Sequence, residues 1–215
     1  MEPSHVAKHS NAVIDRAVDK ILRESFLRGI DPPIDIDLVA EKQSLIDCVG
    51  FIPSINSKFD VDAVLLSKLN GKFDILIDTY ICRVRANFSV AHEIGHVVLH
   101  PKLYSGCSTI DDSIALSKRI KKSYKKIERE ANYFAGAILI PRQTIFDDTQ
   151  KIYKGILGGY AGDLEWENII PMLCAALANR YQVSVKTMQI RLNQLRIDSR
   201  LLYAITNRLN FISWD

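Results

Sequence analysis

The sequence predicts an α+β fold: a small antiparallel sheet with a β-hairpin, packed on a helical core and followed by a C-terminal helical region. Three observations predict it. Apolar residues recur at helical spacing over long stretches, beginning with Val13, Ile14, Ala17, Ile21, Leu22 and Phe26. Two β-like apolar runs, 62–69 and 73–80, flank Asn70-Gly71. Asn-Gly is the strongest short hairpin signal, because a type I′ turn needs positive φ at both central residues. The last third again reads as helices, over about 142–154, 167–181, 184–196 and 199–209.

The elements follow in order. A first helix over 12–28 stops at Gly29, with Pro32-Pro33 behind it. Asp35 opens a short helix over 35–43, and 50–56 reads as a strand. The second hairpin strand continues toward Val84. A helix then starts near Ser89, a suitable N-cap, runs through His100 and ends at Pro101. Residues 102–112 hold Gly, Cys, Ser, Thr and Asp and read as a loop. A long helix spans about 112–140, closed by Pro141. It carries the basic run Lys118, Arg119, Lys121, Lys122, Lys125, Lys126 and Arg129, the pattern of a solvated face or of an acidic or nucleic-acid partner. Gly155, Gly158, Gly159 and Gly162 mark a linker, which divides the chain into 1–154 and a helical region 155–215.

Bulk properties narrow the function classes. A chain of 215 residues suits one large domain, or one with a small appendage, and buries a real core. The net charge of +3 is too small to argue for nucleic acid by itself. Cys48, Cys82, Cys107 and Cys174 fall into neither C-x-x-C nor zinc-finger spacing, so reduced thiols in a reducing compartment are expected. The first residues lack the regions of a signal peptide, and the longest apolar run, Tyr133 to Ile140, is too short to span a bilayer. A cytoplasmic protein without membrane contact is expected.

The chemistry lies in His92-Glu93-Ile94-Gly95-His96. Histidines four apart on a helix share a face, about 6 Å apart along the axis, and both imidazoles reach one zinc ion. The glutamate after the first histidine stands one step from the metal, placed to take a proton from water. His100 extends the series, but eight helical residues rise about 12 Å, too far for His92 and His100 to share an ion. His100 then caps the helix C-terminus, where a cation is favourable, and His5 and His9 are incidental.

A catalytic zinc needs a third protein ligand and an open position. The helix with Glu128-Arg129-Glu130-Ala131-Asn132 offers two carboxylates. Its apolar stripe contains Ile127, Ala131, Phe134, Ala135 and Ile138, and Glu128 lies nearer to it than Glu130. Glu128 is therefore preferred, with Glu130 as the alternative, and Asn132 one turn on is expected to orient Glu128.

The segments Phe88 to His100 and Glu128 to Pro141 together resemble the ImmA/IrrE family of bacterial and phage zinc metallopeptidases. The resemblance implies a zincin-like domain over 1–154, with His92, His96 and Glu128 as zinc ligands and Glu93 as catalytic base. It also implies a protein substrate, a helix-turn-helix transcriptional repressor whose cleavage releases a stress or mobile-element programme, with Zn2+, or Mn2+ in the cell, as cofactor. The family usually has a basic residue just before the aromatic at Phe88; here Asn87 stands there, and Arg85 two residues earlier. Tyr104 and Arg85 are candidate oxyanion donors, and the edge of the hairpin sheet is a candidate for strand addition by an extended substrate.

A DNA-binding or partner-binding regulator with a structural or inactive metal site is the alternative. Leu177 to Leu192 has helix-turn-helix packing positions at Ala178, Val183 and Met188, a cap at Ser184, and Lys186, Gln189 and Arg191 as candidates to face a groove. Tyr181-Gln182 occupies the place of the usual turn glycine, and two packed structural helices read the same way.

Overall fold

A computed structural model of the chain describes residues 8–123, 125–159, 166–209 and 211–212. His5 and Gly162 of the sequence reading lie outside them. The fold is α+β, mostly helical with one small sheet. By its internal contacts the chain forms two units, one comprising 1–29 and 35–138, the other 30–34 and 139–215. This boundary precedes the helix that begins at Arg142, whereas composition marks one at 154/155.

In the first unit, α1 (Asn11–Ser25) buries Ile14, Val18, Ile21 and Leu22 along one stripe. The next helix, α2 (Ile36–Lys42), starts where the Asp35 carboxylate accepts the Leu38 N–H at 3.1 Å. The first strand, β1 (Ile46–Ile52), lies four residues ahead of the expected 50–56. Pro53 ends it, Ser54 turns left-handed at φ 66°, and α3 (Ile55–Phe59) follows.

The hairpin forms from β2 (Ala63–Ser67) and β3 (Phe73–Asp78), antiparallel, with Leu65 opposite Ile75. Its turn differs from the expected type I′. The Lys68 N–H donates to Lys72 O at 2.8 Å and the Gly71 N–H to Lys68 O at 3.0 Å, which closes a three-residue loop. Gly71 has φ +78°, while Asn70 is not left-handed and instead accepts the Lys72 N–H on its side-chain oxygen. Asn-Gly thus serves a turn followed by a left-handed glycine, the next most common hairpin connection.

The sheet is mixed, in the order β1-β3-β2, and not wholly antiparallel as expected, because β1 pairs parallel with β3. Phe73, Ile75 and Ile77 face the core in alternation. β3 stops at Asp78 and does not reach Val84. The buried Asp78 carboxylate accepts the Asn56 N–H at 2.6 Å and the Tyr80 N–H at 2.7 Å, folding the backbone back on itself. These donors hold its pKa below the usual carboxylate value.

The central helix, α4 (Arg83–Leu99), begins six residues ahead of the expected Ser89, from an extended Cys82 whose side chain makes no capping bond. Ser89 is buried inside the helix. The early turns escape sequence pattern because Arg83, Arg85 and Asn87 give them no apolar stripe. Its other end is His100, and Pro101 opens a single turn, α5 (Pro101–Tyr104), inside the expected loop. The expected long helix is two, α6 (Ile110–Ser123) and α7 (Lys125–Leu139). α4 lies on the sheet with Val90, Ala91, Ile94 and Val97 buried. α7 meets it so closely at Gly95 that a Cβ there would stand 3.3 Å from Ala131 Cα and 3.1 Å from Phe134 Cδ1.

The second unit holds α8 (Arg142–Gly159), α9 (Trp166–Tyr181), α10 (Val185–Gln194) and α11 (Ile197–Thr206). Gly155, Gly158 and Gly159 lie in α8, not in a linker. Between α9 and α10 the turn is made by Gln182 at φ 50°, in the conformation a glycine usually takes, and Ser184 caps α10 by accepting the Thr187 N–H at 3.0 Å. Ala178, Val183 and Met188 are buried. Tyr181 and Arg180 both bond the Asp148 carboxylate, at 2.9 and 2.6 Å.

Arg191 does not face outward. It is 2% exposed, and its Nε donates to Ile140 O at 3.3 Å. Of the three groove candidates, Lys186 and Gln189 remain at the surface. Arg191→Ala is expected to lower stability by about 2–3 kcal/mol, the cost of stranding acceptors of a charged donor and losing its packing. Urea denaturation checks this, and a loss under 0.5 kcal/mol contradicts the structural role.

Candidate metal centre

α4 brings His92 and His96 together by one helical turn. Their Nε2 atoms lie 3.0 Å apart, with the rings edge to face at 4.6 Å between centroids. α7 brings Glu128 to the same point, Oε2 lying 3.6 Å from His92 Nε2 and Oε1 3.6 Å from His96 Nε2. Ligands held tetrahedrally at 2.0–2.1 Å from one ion stand roughly 3.3 Å from each other. Separations of 3.0, 3.6 and 3.6 Å bracket that figure, so two imidazoles and one carboxylate fit a zinc ion.

The approach of the helices is a matter of side-chain size. Gly95 and Ala131 remove bulk where α4 and α7 touch, and Glu128 is one turn before Ala131 on the same stripe. Glu130 projects elsewhere, with Oε2 3.1 Å from His100 Nε2. A second trio, His9, His100 and Glu130, therefore lies beside the first. His9 is part of the packed structure, its backbone N–H donating to Glu130 Oε1 at 3.1 Å. Asn132 does not orient Glu128 as expected; its Oδ1 accepts from His92 Nδ1 at 3.1 Å. A metal-binding His92 with its proton on Nδ1 is held by that bond.

Burial, and then the neighbouring His100, push the His96 pKa well below the ordinary histidine value, so its ring is neutral and offers a lone pair. Burial lowers that of His100 too, although Glu130 opposes the shift. His100 stands at the C-terminal end of α4, as expected, with its ring between His96 and Glu130. Glu93 is buried and lines a cavity of about 370 Å³ with His92, His96, Glu128 and Arg85. Arg85 Nε donates to Asp62 at 2.5 Å on the cavity wall. Tyr104 packs its ring 4.8 Å from His96, and burial, with Glu93 and Glu128 adding to it, raises its hydroxyl pKa well above the ordinary value. The hydroxyl stays protonated, and its neighbour Ser117 lines the cavity.

The edge strand β2 is open only in part. The Leu65 N–H donates to Ser113 Oγ at 3.2 Å and the Ser67 N–H to Cys107 O at 2.7 Å. The stretch that borders the cavity is 60–63, just before and at the start of β2. Sequence reasoning overlooked this wall and Ser117, for which no local pattern exists. The His100–Glu130 contact had a signal: His100 follows His96 by one turn, and Glu130 shares a helix with Glu128.

The family model of the IrrE N-terminal-like domain, peptidase family M78, matches residues 68–193, which is 126 of the 215 residues and includes every residue of the His92, His96 and Glu128 cluster. No curated protein matches significantly. Among solved structures, a Mycobacterium tuberculosis transcriptional regulator is similar at 17% identity with a TM-score of 0.48, over 83% of this chain and 46% of that one. The chain thus spans about half the length of that protein. With more than half of its length matched, the chain belongs to the IrrE N-terminal-like peptidase family M78.

Proposed function

We propose that the protein is a zinc-dependent metalloendopeptidase whose substrate is a helix-turn-helix transcriptional repressor, cleaved to relieve repression in a stress or mobile-element response. The observation that supports this most is the convergence of His92, His96 and Glu128 at ligand separations beside the Glu93 carboxylate in one cavity. Membership of a metallopeptidase family supports the reaction class. The resemblance of the two sequence blocks supports the repressor as substrate.

His92 Nε2, His96 Nε2 and one Glu128 oxygen would hold the metal. Bound there, zinc, or manganese in the cell, would supply Lewis acidity toward water and a substrate carbonyl. Glu93 takes the proton from the attacking water onto its carboxylate and delivers it to the leaving amine nitrogen. Of the two candidate oxyanion donors, the Arg85 guanidinium stands on the cavity wall, whereas Tyr104 packs behind His96 and is not one of the residues lining the cavity. An extended substrate lies along 60–63, where the sheet edge borders the cavity.

No helix among the described residues is long and apolar enough to cross a membrane. Incubation with the helix-turn-helix protein encoded beside this chain's gene, with zinc or manganese, is expected to yield two fragments by mass spectrometry. An intact repressor under both metals contradicts the proposed substrate. The reading as a DNA-binding regulator is weakened by the buried Arg191.

A further inference from the structure

His96 is not the end of its hydrogen-bonded row. Its Nδ1 lies 3.2 Å from His100 Nδ1, His100 Nε2 lies 3.1 Å from Glu130 Oε2, and Glu130 Oε1 accepts the His9 backbone N–H at 3.1 Å. His96, His100 and Glu130 are all buried, at 1%, 1% and 5% exposure. We propose that His100 and Glu130 are positioning residues, which together fix the tautomer and ring orientation of His96 toward the metal. The N-terminal strap at His9 closes this pair. The inference rests on the reading of His92, His96 and Glu128 as a metal centre.

The proton positions follow from elementary bookkeeping. A neutral imidazole has one N–H and one lone pair. His96 gives its Nε2 lone pair to the metal, so its proton sits on Nδ1. Among the described residues, the acceptor within reach of that proton is His100 Nδ1, which must then carry a lone pair. The proton of His100 is therefore on Nε2, where it donates to Glu130 Oε2. Glu130, with its other oxygen taking the His9 N–H, ends the row as a carboxylate that only accepts. Every member has a partner in a single consistent arrangement, and rotation of the His96 ring breaks it.

The same bookkeeping decides against a second metal at His9, His100 and Glu130, although their ligand atoms lie close enough. An ion there would need the His100 Nε2 lone pair while His100 Nδ1 still accepts from His96, which leaves His100 with no proton on either nitrogen. His9 Nε2 lies 3.2 Å from Leu99 O, an acceptor only, so that nitrogen carries a proton and leaves His9 only its Nδ1 as a ligand atom. Among the described residues, the consequence is one metal, at His92, His96 and Glu128.

Zinc affinity by chelator competition and metal content of the whole chain test the proposal. His100→Phe and Glu130→Met are expected to weaken zinc by about 10–100-fold, the usual effect of removing a partner behind a metal-binding histidine. His100→Asn, which restores an acceptor near the position of Nδ1, recovers part of the loss. The cobalt-substituted His100→Phe protein shows an altered visible spectrum, which a remote packing defect does not produce. In zinc-loaded wild type, nitrogen-15 NMR of the histidines places the His100 proton on Nε2, and this measurement needs no variant to fold. A His100 proton on Nδ1, or zinc affinity unchanged in folded His100→Phe and Glu130→Met, overturns the proposal while the metal centre stands. Two metals per chain, one of them lost on His9→Ala, overturns it as well. Wild type that binds no metal removes both the centre and the inference.

Discussion

Glu93→Gln is expected to keep zinc binding within about twofold of wild type and to lower peptide hydrolysis by about 10²–10⁴-fold, the usual contribution of a general acid–base group. The substitution is close to isosteric. It leaves His92, His96 and Glu128, whose ligand atoms meet within 4.8 Å of one another, untouched. On the proposed mechanism, what it removes is the carboxylate that holds the proton between the attacking water and the leaving amine. The amide of glutamine accepts a hydrogen bond but takes up no proton at neutral pH. Two measurements separate the possibilities: zinc content of the purified variant, and initial rates of repressor cleavage. Full activity with bound metal assigns the proton transfer to another group. Loss of metal together with activity means that Glu93 supports the site's structure, not its chemistry.

The second large effect comes from a residue that carries no functional group. Gly95→Val is expected to lower stability by about 1–3 kcal/mol through overpacking, and zinc affinity by at least 10-fold. At Gly95 an added Cβ meets Phe134, whose ring can shift, and Ala131 Cα, which is backbone and can move only with α7. Displacing α7 moves Glu128, one turn before Ala131, away from histidines that sit on α4. Gly95→Ala makes the test sharper. Its helix-propensity gain of about 1 kcal/mol offsets much of the steric cost. Its stability is therefore expected near wild type, while its zinc affinity falls. Urea denaturation of the metal-free protein and chelator competition read the two effects separately. Unchanged zinc affinity in both variants dissociates helix spacing from metal binding.

These two residues also mark how far the sequence can be read. His92 and His96 are legible as a pair because a 3.6-residue period puts positions four apart on one face, whatever surrounds the helix. The same local logic finds Asp35 as a cap and the hairpin at Asn70-Gly71. It fails where an element's evidence is not local. α4 starts at Arg83 because Asp78 folds the chain back after β3, while the polar first turns show no periodicity and Ser89 imitates a cap. β1 pairs parallel with β3 through a crossover, and no residue of β1 states its partner. Gln182 takes a glycine's conformation because Ala178, Val183 and Met188 are buried around the turn.

The sequence by itself determined the reaction chemistry on offer: two imidazoles with a glutamate between them on one helix, and carboxylates on another. It also determined the helical, small-sheet character of the chain, since hydrophobic periodicity reports which face each segment must bury. The tertiary structure alone decided which carboxylate stands at the histidines. Glu128 and Glu130 are two residues apart on one helix, and only the packing of Ala131 against Gly95 turns Glu128 toward His92 and His96 and Glu130 toward His100. It likewise decided that Asn132 holds His92, that Arg191 is interior, and that His9 reaches a glutamate 121 residues away. The physical reason is the range of the forces. Periodicity and capping act within a few residues, whereas the site is set by the distance between two helix axes, which depends on the side chains of both at once.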